Sequence, residues 1–303
     1  MRDDAAVIVV PSNFAAWTIA RQGDAGRQWI DGLPAVVESY LDRWALTPDG
    51  SVLHGYVGIV VPVVRADGER VALKVSWVEG DDWWEAHALA AWGGRGAVRL
   101  LERDDAAGVM LLERLDPARS ARALPGVTAS AVAGQVCRRL AVPAPPGLPR
   151  VADLAARWVE ELPRHWEGLG RPFPKKRLEA AVASCRELGP DQPDLLLHGD
   201  LVFDNILQAE REPWLVIDPD GLGGEPALEA APFLSNRWAE LIAQPDLRAA
   251  VRARLTAFAD GAGVDFERAR RWAQARQVNE AMWCREHQPE AVAYVDALVE
   301  VLD

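Results

Sequence analysis

One short polar segment, HGDLVFDN at residues 198–205, decides the fold of this chain. The apolar residues 195–197 precede the segment and Ile206 begins a second apolar run after it, which predicts a loop between two short strands. Asp200 and Asn205 stand five residues apart within this loop. A carboxylate and an amide at the end of a buried strand are typical of a chemical site.

A third polar side chain belongs to the same pattern. Asp218 ends the apolar run 214–217, thirteen residues after Asn205. Two short strands joined by a turn would bring Asp200, Asn205 and Asp218 to one end of a small β patch. Phosphoryl transfer needs such a trio: one carboxylate takes the proton of the acceptor hydroxyl, while a second carboxylate and an amide oxygen hold Mg²⁺. Each residue alone is compatible with a turn or a strand end, but the complete pattern favours the chemical interpretation.

The segment HGDLVFDNIL, followed by LVIDP at residues 215–219, resembles the aminoglycoside phosphotransferase family. The resemblance implies an α+β, two-lobed protein-kinase-like fold and an enzyme that uses ATP and Mg²⁺. It also implies that Asp200 is the catalytic base and that Asn205 and Asp218 are the metal ligands. His198 would brace the loop.

The chain departs from the usual family pattern at two places. Val202 stands where many members have His, and residues 224–229 read GEPALE where GDPxxD is usual. Both departures leave the trio intact and bear on substrate preference. Within the family, the runs AWGGRGAVRLLERD, MLLERLD, VPAPPGL and AEREPWLVIDP resemble the streptomycin 6-phosphotransferase and hydroxyurea-type antibiotic kinases, from about residue 26 to about residue 286.

The first part of the chain tests this interpretation independently. Residues 55–77 read as two β-rich runs joined by a turn at Asp67-Gly68, and residues 83–92 read as a helix that ends at Gly93-Gly94. Lys74 lies on the second run and Glu85 on the helix, so Lys74 is expected to hold the α- and β-phosphates and Glu85, rather than Asp82, to orient it.

The resemblance also implies a nucleotide site around these residues, formed by a covering loop, an adenine pocket and a hinge. Gly55 and Gly58 would belong to the covering loop, and Val60 and Ala72 to the adenine pocket. Glu113 and Leu115 would belong to the hinge. The apolar residues among them can also be explained by packing in the core, and both interpretations can be true.

An acceptor site is expected beside Asp200. Streptomycin carries guanidinium groups, which acidic and aromatic side chains would suit. The candidates are Asp204, Glu225, Glu229, Asn279, Trp283 and Glu286. The last three fall on one face of a predicted helix, which could equally be a solvated acidic face anchored by Trp283.

The sequence predicts two lobes: a small N-lobe at residues 1–114, rich in β-structure, and a larger helical C-lobe at residues 115–303. Helical spacing of apolar residues predicts a helix over residues 29–44 with a break at Pro34. Two strands are expected after it at residues 97–102 and 108–113. The predicted C-lobe helices cover residues 151–166, 175–188, 225–241, 247–261 and 266–286, with a short one at the end.

Composition narrows the function classes. The 303 residues include 45 acidic and 33 basic ones, giving a net charge of −12. This charge argues against a nucleic-acid partner and suits a cationic small substrate, although many soluble proteins are acidic. The three cysteines are far apart in sequence, and no apolar run is long enough to cross a bilayer. We therefore expect a cytoplasmic protein with a small hydroxylated substrate and no membrane association, monomeric or dimeric.

Two other functions remain open. The chain could be a metabolic kinase that acts on a sugar, an amino alcohol or another hydroxylated metabolite. It could also be a pseudokinase scaffold that binds nucleotide, but the intact Lys74, Asp200, Asn205 and Asp218 count against this alternative. The acceptor, the choice between ATP and GTP, and a cellular role in antibiotic resistance do not follow from the sequence.

Overall fold

A computed structural model describes residues 8–78 and 83–303. The chain divides into two compact units, which are described separately: unit 1 is Met1–Gly94 with Val98–Leu115, and unit 2 is Arg95–Ala97 with Asp116–Asp303. None of the helices in the described residues combines the length and the apolar character needed to span a membrane.

Unit 1 is a mixed α+β unit built on an antiparallel sheet. Its elements are α1 (Ser12–Arg43), β1 (Leu46–Pro48), β2 (Leu53–His54), β3 (Gly58–Arg65), β4 (Arg70–Ser76), α2 (Trp84–Trp92), β5 (Leu100–Asp104) and β6 (Val109–Glu113). The strand order is β1-β3-β4-β6-β5, and β2 also pairs with β3. The predicted hairpin is confirmed: β3 and β4 pair in register through Val61 and Leu73. The predicted strand at 97–102 begins later, at Leu100.

Alternating side chains give the sheet two different faces. Val61, Leu73 and their neighbours on one face pack with Leu33 and Val37 of α1 in the apolar core of the unit. Lys74 lies directly opposite Val60 in the β3–β4 ladder, one residue out of step with this core face. The sheet therefore presents Lys74 on the face opposite to α1.

Helix α1 breaks at a position other than the predicted one. The prediction of a break at Pro34 is wrong, because Pro34 lies inside the helix while the backbone becomes non-helical at Gly23, with φ 61° and ψ −136°. Glycine adopts this conformation readily because it has no Cβ. The helix accommodates Pro34 with the loss of one backbone donor.

Unit 2 is mostly helical, with two small β patches. Its elements are α3 (Gly126–Leu140), α4 (Val151–Gly168), α5 (Lys175–Leu188), β7 (Leu196–Leu197), β8 (Ile206–Gln208), β9 (Trp214–Val216), β10 (Leu222–Gly223), α6 (Trp238–Ile242), α7 (Leu247–Ala262), α8 (Phe266–His287) and α9 (Val292–Val301). Strand β8 pairs with β9 and β7 with β10, all antiparallel. The loop 198–205 therefore connects the two patches.

The predicted helix over residues 225–241 is wrong. The chain instead forms 3₁₀ turns at Pro226–Ala230 and Pro232–Ser235, followed by the short helix α6. Pro226 and Pro232 each remove a backbone donor and start a new turn. Residues 227–234, which are apolar except for Glu229, are all buried, so this segment has no amphipathic stripe of the kind that a surface helix needs.

Helices α3 and α7 approach each other through glycine. A Cβ at Gly261 would lie 2.7 Å from the carbonyl oxygen of Ala131, and a Cβ at Gly134 would meet the carbonyl oxygen of Phe258. Contacts this close leave no space for a methyl group. The two helix backbones are therefore in direct contact at this crossing.

Candidate active site

The polar loop 198–205 is held together by its own side chains. Asn205 Nδ2 donates to the backbone oxygen of Asp200 at 3.0 Å and to its Oδ2 at 3.3 Å. The Val202 N–H also donates to the Asp200 backbone oxygen, at 2.8 Å. The carboxylate of Asp200 is partly exposed, so it is fixed on one side and open to a reactant on the other.

Asp218 lies beside this loop because the adjacent strand is bonded to it. The Ile217 N–H donates to the backbone oxygen of Asn205 at 3.0 Å, and the Asp220 N–H donates to that of His198 at 2.8 Å. Asp218 itself has φ 55°, a left-handed conformation that Asp tolerates better than most residues. The structure thus brings together the three polar residues that the sequence singled out.

His198 braces the loop from inside. Its Nε2 lies 2.8 Å from the Ile217 carbonyl oxygen, and its Nδ1 accepts from the Asp200 N–H at 3.2 Å. This pairing assigns the ring proton to Nε2. Burial lowers the pKa of His198, although the hydrogen bond to Ile217 and the charges of Asp200 and Asp218 oppose this shift. A neutral imidazole therefore links the two loops that carry the carboxylates.

Side chains from two other segments form hydrogen bonds with the N–H and the carbonyl oxygen of Gly199. Glu229 Oε1 accepts from the Gly199 N–H at 2.9 Å, and Arg276 Nη1 donates to the Gly199 carbonyl oxygen at 3.0 Å. Gly199 has φ 89°, and a Cβ there would lie 2.8 Å from Cβ of Asp220, so only glycine fits. Arg276 on α8 was missed by the sequence analysis, because nothing local signals a partner 77 residues away.

Glu229 is fully buried, and its Oε2 has no hydrogen-bond partner among the residues that the structure describes. Burial raises the pKa of this carboxyl to about 7, even though the Gly199 N–H and the charge of Arg276 favour the ionised form. The unfolded chain has the ordinary value of 4.5. The carboxyl is therefore neutral in the folded protein at pH values where it is ionised in the unfolded chain.

This difference gives a stability prediction. Because the folded protein holds the extra proton, the contribution of Glu229 to stability is present below about pH 4.5 and is lost as the pH rises through about 7. Relative to Glu229→Gln, the wild type should lose roughly 2–3 kcal/mol of unfolding free energy between about pH 5 and pH 8. Urea unfolding of both proteins at the two pH values measures this loss of unfolding free energy. Glu210→Gln, at an exposed position, is the control. A difference that does not change with pH would contradict the expectation.

Three of the predicted acceptor residues bind protein groups: Glu229, as described above, Asp204 and Glu225. Asp204 Oδ2 accepts from Arg122 Nη1 at 2.9 Å and from Asn236 Nδ2 at 3.4 Å. Glu225 is buried, and Arg268 donates to both of its oxygens, at 2.8 and 2.9 Å. Trp272 Nε1 also donates to Glu225, at 2.5 Å. Glu225 thus joins its segment to α8.

The other predicted acceptor residues lie along α8. Asn279 is half-buried and Glu286 is exposed. Trp283 is 37% exposed and stacks on His287 with ring centroids 4.8 Å apart. Helix α8 reaches the polar loop through Arg276, one turn before Asn279. Trp283 is thus a surface aromatic and not a core anchor.

In unit 1, Lys74 and Glu85 form a buried ion pair. Lys74 Nζ lies 2.6 Å from Glu85 Oε1, and the two side chains are 5% and 9% exposed. This geometry is consistent with the prediction that Glu85, rather than Asp82, orients Lys74. Asp82 lies outside the described residues. The pair thus places an ammonium at a fixed position next to its counter-charge on this face of the sheet.

The predicted nucleotide-binding residues lie on the strands of the same sheet or close to them in the chain. Val60 and Ala72 share the face of Lys74, which follows from the ladder register. Gly55 and Gly58 close the turn between β2 and β3, where the Gly55 N–H donates to the Gly58 oxygen at 2.9 Å. Glu113 ends β6, where its Oε2 accepts from the Arg99 N–H at 3.0 Å, and Leu115 follows as the last residue of the unit.

The donor set of unit 2 fits a hard cation that arrives with a phosphate. Asn205 gives its amide nitrogen to Asp200, so the amide oxygen is the atom that can face a cation; Asp218 adds a carboxylate. Mg²⁺ takes one or two such ligands and completes its shell with phosphate oxygens and water. Among residues 8–78 and 83–303, no group of three or more His, Cys, Asp or Glu side chains is arranged to hold a metal.

The profile of a family described as aminoglycoside/hydroxyurea antibiotic resistance kinase matches residues 43–288. The chain belongs to this family. This kinase is 38% identical over 299 residues to a streptomycin 6-kinase of Streptomyces glaucescens, covering 96% of this chain and 97% of the relative. It is also 38% identical to a hydroxyurea phosphotransferase of Kitasatospora aureofaciens, covering 93% of this chain and 82% of the relative.

A solved structure supports the fold of this kinase. The choline kinase LicA of Streptococcus pneumoniae aligns with a TM-score of 0.57 at 14% identity, over 89% of this chain and 98% of the other. At that identity the likeness concerns the fold alone. The predicted α+β, protein-kinase-like fold is confirmed, and so is the predicted phosphotransferase with an alcohol group as acceptor.

Proposed function

We propose that this kinase transfers the γ-phosphoryl group of ATP to a hydroxyl of streptomycin or a similar cationic aminoglycoside. The observation that carries the proposal is the pair of hydrogen bonds from Asn205 to the backbone and side chain of Asp200, which aims a partly exposed carboxylate. Relatives named streptomycin 6-kinase, similar along nearly the whole chain, support the choice of acceptor.

In this proposal Asp200 is the catalytic base. The acceptor hydroxyl donates a hydrogen bond to the free side of the Asp200 carboxylate, which orients the hydroxyl oxygen toward the phosphorus. The carboxylate takes the proton as the new O–P bond forms and the bond between the γ-phosphorus and the β,γ-bridging oxygen of ATP breaks, which releases ADP. Asn205 and the peptide of Gly199 keep Asp200 in place, so positioning costs little at the moment of reaction.

Lys74 has the role of a phosphate-binding cation. Glu85 holds its ammonium at a fixed position, from which it would donate to the α- and β-phosphate oxygens. The glycine turn of Gly55 and Gly58 and the apolar Val60 and Ala72 would then contact the rest of the nucleotide. Glu113 and Leu115 would offer backbone groups to the adenine.

Asn205 and Asp218 would hold Mg²⁺ through an amide oxygen and a carboxylate. When bound, this ion supplies neutralisation of the charge on the β- and γ-phosphates. For this, the two residues would have to present their oxygen atoms close together. The hydrogen bond from the Ile217 N–H to the backbone oxygen of Asn205 supports this arrangement.

For the acceptor, we propose a contact surface on α8. Trp283 offers an exposed ring to a guanidinium group, and Glu286 adds a carboxylate one turn later, with Asn279 one turn earlier. The net charge of −12 would also attract a cationic antibiotic. The buried Glu229 would act on the loop and not on the acceptor.

Phosphorylation of hydroxyurea is the second candidate, since the hydroxyurea phosphotransferase is as similar in sequence as the streptomycin 6-kinase. The deciding experiment is an ADP-release assay with ATP or GTP over streptomycin, other aminoglycosides, hydroxyurea, sugars and amino alcohols. We expect the highest kcat/KM with streptomycin and ATP, and one added phosphate by mass spectrometry. A preference for a neutral sugar or for hydroxyurea would reject the streptomycin assignment. Silence across the panel with ATP still bound would favour a scaffold.

A further inference from the structure

The loop 198–205 has a second attachment, at the end that carries Asn205. Residues Phe203–Asn205 form a 3₁₀ turn, and Phe203 is fully buried. The Phe203 N–H opens this turn, so it has no acceptor within the turn itself. It donates to Oδ1 of Asn236, which lies 33 residues later in the chain, at 2.5 Å.

Asn236 is itself fixed by two further contacts. Its Nδ2 donates to Asp204 Oδ2 at 3.4 Å, and its backbone oxygen accepts from Arg254 Nη1 at 3.0 Å. Arg254 on α7 is only 3% exposed and also contacts Glu240. Asn236 thus connects the turn to a buried arginine of a long helix.

The same segment supports the turn through apolar contact. The ring of Phe233 stacks on that of Phe203 with centroids 5.5 Å apart and planes 18° apart, and Phe258 packs on Phe233 at 5.2 Å. The stack holds the side chain of Phe203, while Asn236 holds its backbone. Residues 233–236 therefore fix the turn by two independent means.

We propose that Asn236 is a positioning residue for phosphoryl transfer. By fixing the Phe203 N–H it sets the position of Asn205, and Asn205 in turn orients Asp200 through the two bonds from its Nδ2. The inference rests on the proposed roles of Asp200 and Asn205. A buried N–H without its acceptor is unfavourable, so the turn would shift to find another one, and Asn205 would shift with it.

The first test is Asn236→Ala. We expect kcat to fall about tenfold to a hundredfold, because small displacements of a positioned group have effects of this size. The Mg²⁺ concentration needed for tight ATP binding should rise at least about threefold, and hydrogen exchange in a peptide that includes the Phe203 amide should become faster. Gln244→Ala is the control, since Gln244 is an exposed amide eight residues later whose side chain donates to the backbone oxygen of Glu240.

An exchange of two side chains separates positioning from folding. Asn236→Asp keeps an acceptor for Phe203 but places a carboxylate next to Asp204, so kcat should fall. Combining it with Asp204→Asn restores an amide opposite a carboxylate and should recover at least about tenfold of the loss. This pair of variants decides the question even if Asn236→Ala does not fold.

The outcomes are distinct. Lower kcat, a higher Mg²⁺ requirement and rescue by the exchange support the proposal. Unchanged hydrogen exchange at Phe203 in Asn236→Ala, or an exchange variant no better than Asn236→Asp alone, would overturn it. A wild type that phosphorylates no acceptor would instead reject the proposed function, because hydrogen exchange and Mg²⁺-dependent ATP binding test Asn236 without turnover.

Discussion

Asp200→Asn is expected to lower kcat by roughly 10²–10⁴-fold, the usual effect of losing a positioned general base. The amide keeps the shape of the side chain, and the bond from Asn205 to the Asp200 backbone oxygen remains. Neither the fold nor ATP binding should therefore change. Steady-state kinetics with the best acceptor, ATP titration and thermal unfolding together measure the three quantities.

Asp194→Asn is a suitable control for this experiment. Asp194 lies just before the same loop, but it is exposed and pairs with Arg150 at the surface. Its removal should change kcat less than about twofold, since surface ion pairs contribute little. If Asp200→Asn retained kcat within about tenfold of the wild type, Asp200 would not be the base, and another group would have to take the hydroxyl proton.

Substitutions in the Lys74–Glu85 pair should affect stability and activity differently. Lys74→Met buries the Glu85 carboxylate without Lys74, and Glu85→Leu buries the Lys74 ammonium without Glu85. Each substitution should lower the unfolding free energy by about 3–5 kcal/mol. The double variant places two apolar side chains together and should regain most of this stability. It should still lose about 10²–10³-fold in kcat/KM for ATP, because the cation that we propose to bind phosphate is absent.

Urea unfolding and ATP kinetics of all four proteins complete this cycle. Arg65→Met is the control in unit 1, because Arg65 pairs with Glu69 at 3.3 Å on the surface and should cost less than about 1 kcal/mol. A double variant with normal ATP kinetics would show that Lys74 has only a structural role. Single variants as stable as the wild type would show that the pair is not buried in solution.

Local patterns predicted the parts of the fold that local physics controls. Helix α5 begins and ends where its apolar spacing predicts, at Lys175 and Leu188, and the β3–β4 hairpin turns at Gly68. The trio of the site was predictable because Asn205 and Asp218 flank two short strands that pair with each other, and Asp200 lies in the loop that Asn205 ends. Polar residues at the ends of paired strands lie close together whatever the rest of the chain does, so their sequence positions suffice to locate them.

Contacts between distant residues could not be predicted in the same way. Asn236 and Arg276 have no motif, and their function in the structure depends on how α7 and α8 pack. The buried state of Glu229 likewise follows from the 3₁₀ turns of residues 226–235, where a helix was expected. An acidic residue in sequence does not reveal whether its carboxylate will face solvent, an arginine or a peptide N–H.

The glycine crossing of α3 and α7 limits how this kinase can vary. Gly134 and Gly261 have no catalytic atoms, yet any side chain at either position would force the helices apart and move Arg254 on α7. Gly32 and Gly168, where a Cβ would meet nothing within 4 Å among the described residues, have no such restriction. Under selection for activity, the glycines of the crossing should therefore change as rarely as the residues that perform the chemistry. If α8 contacts the acceptor as we propose, new acceptor specificities should arise there, where side chains can change without moving a backbone.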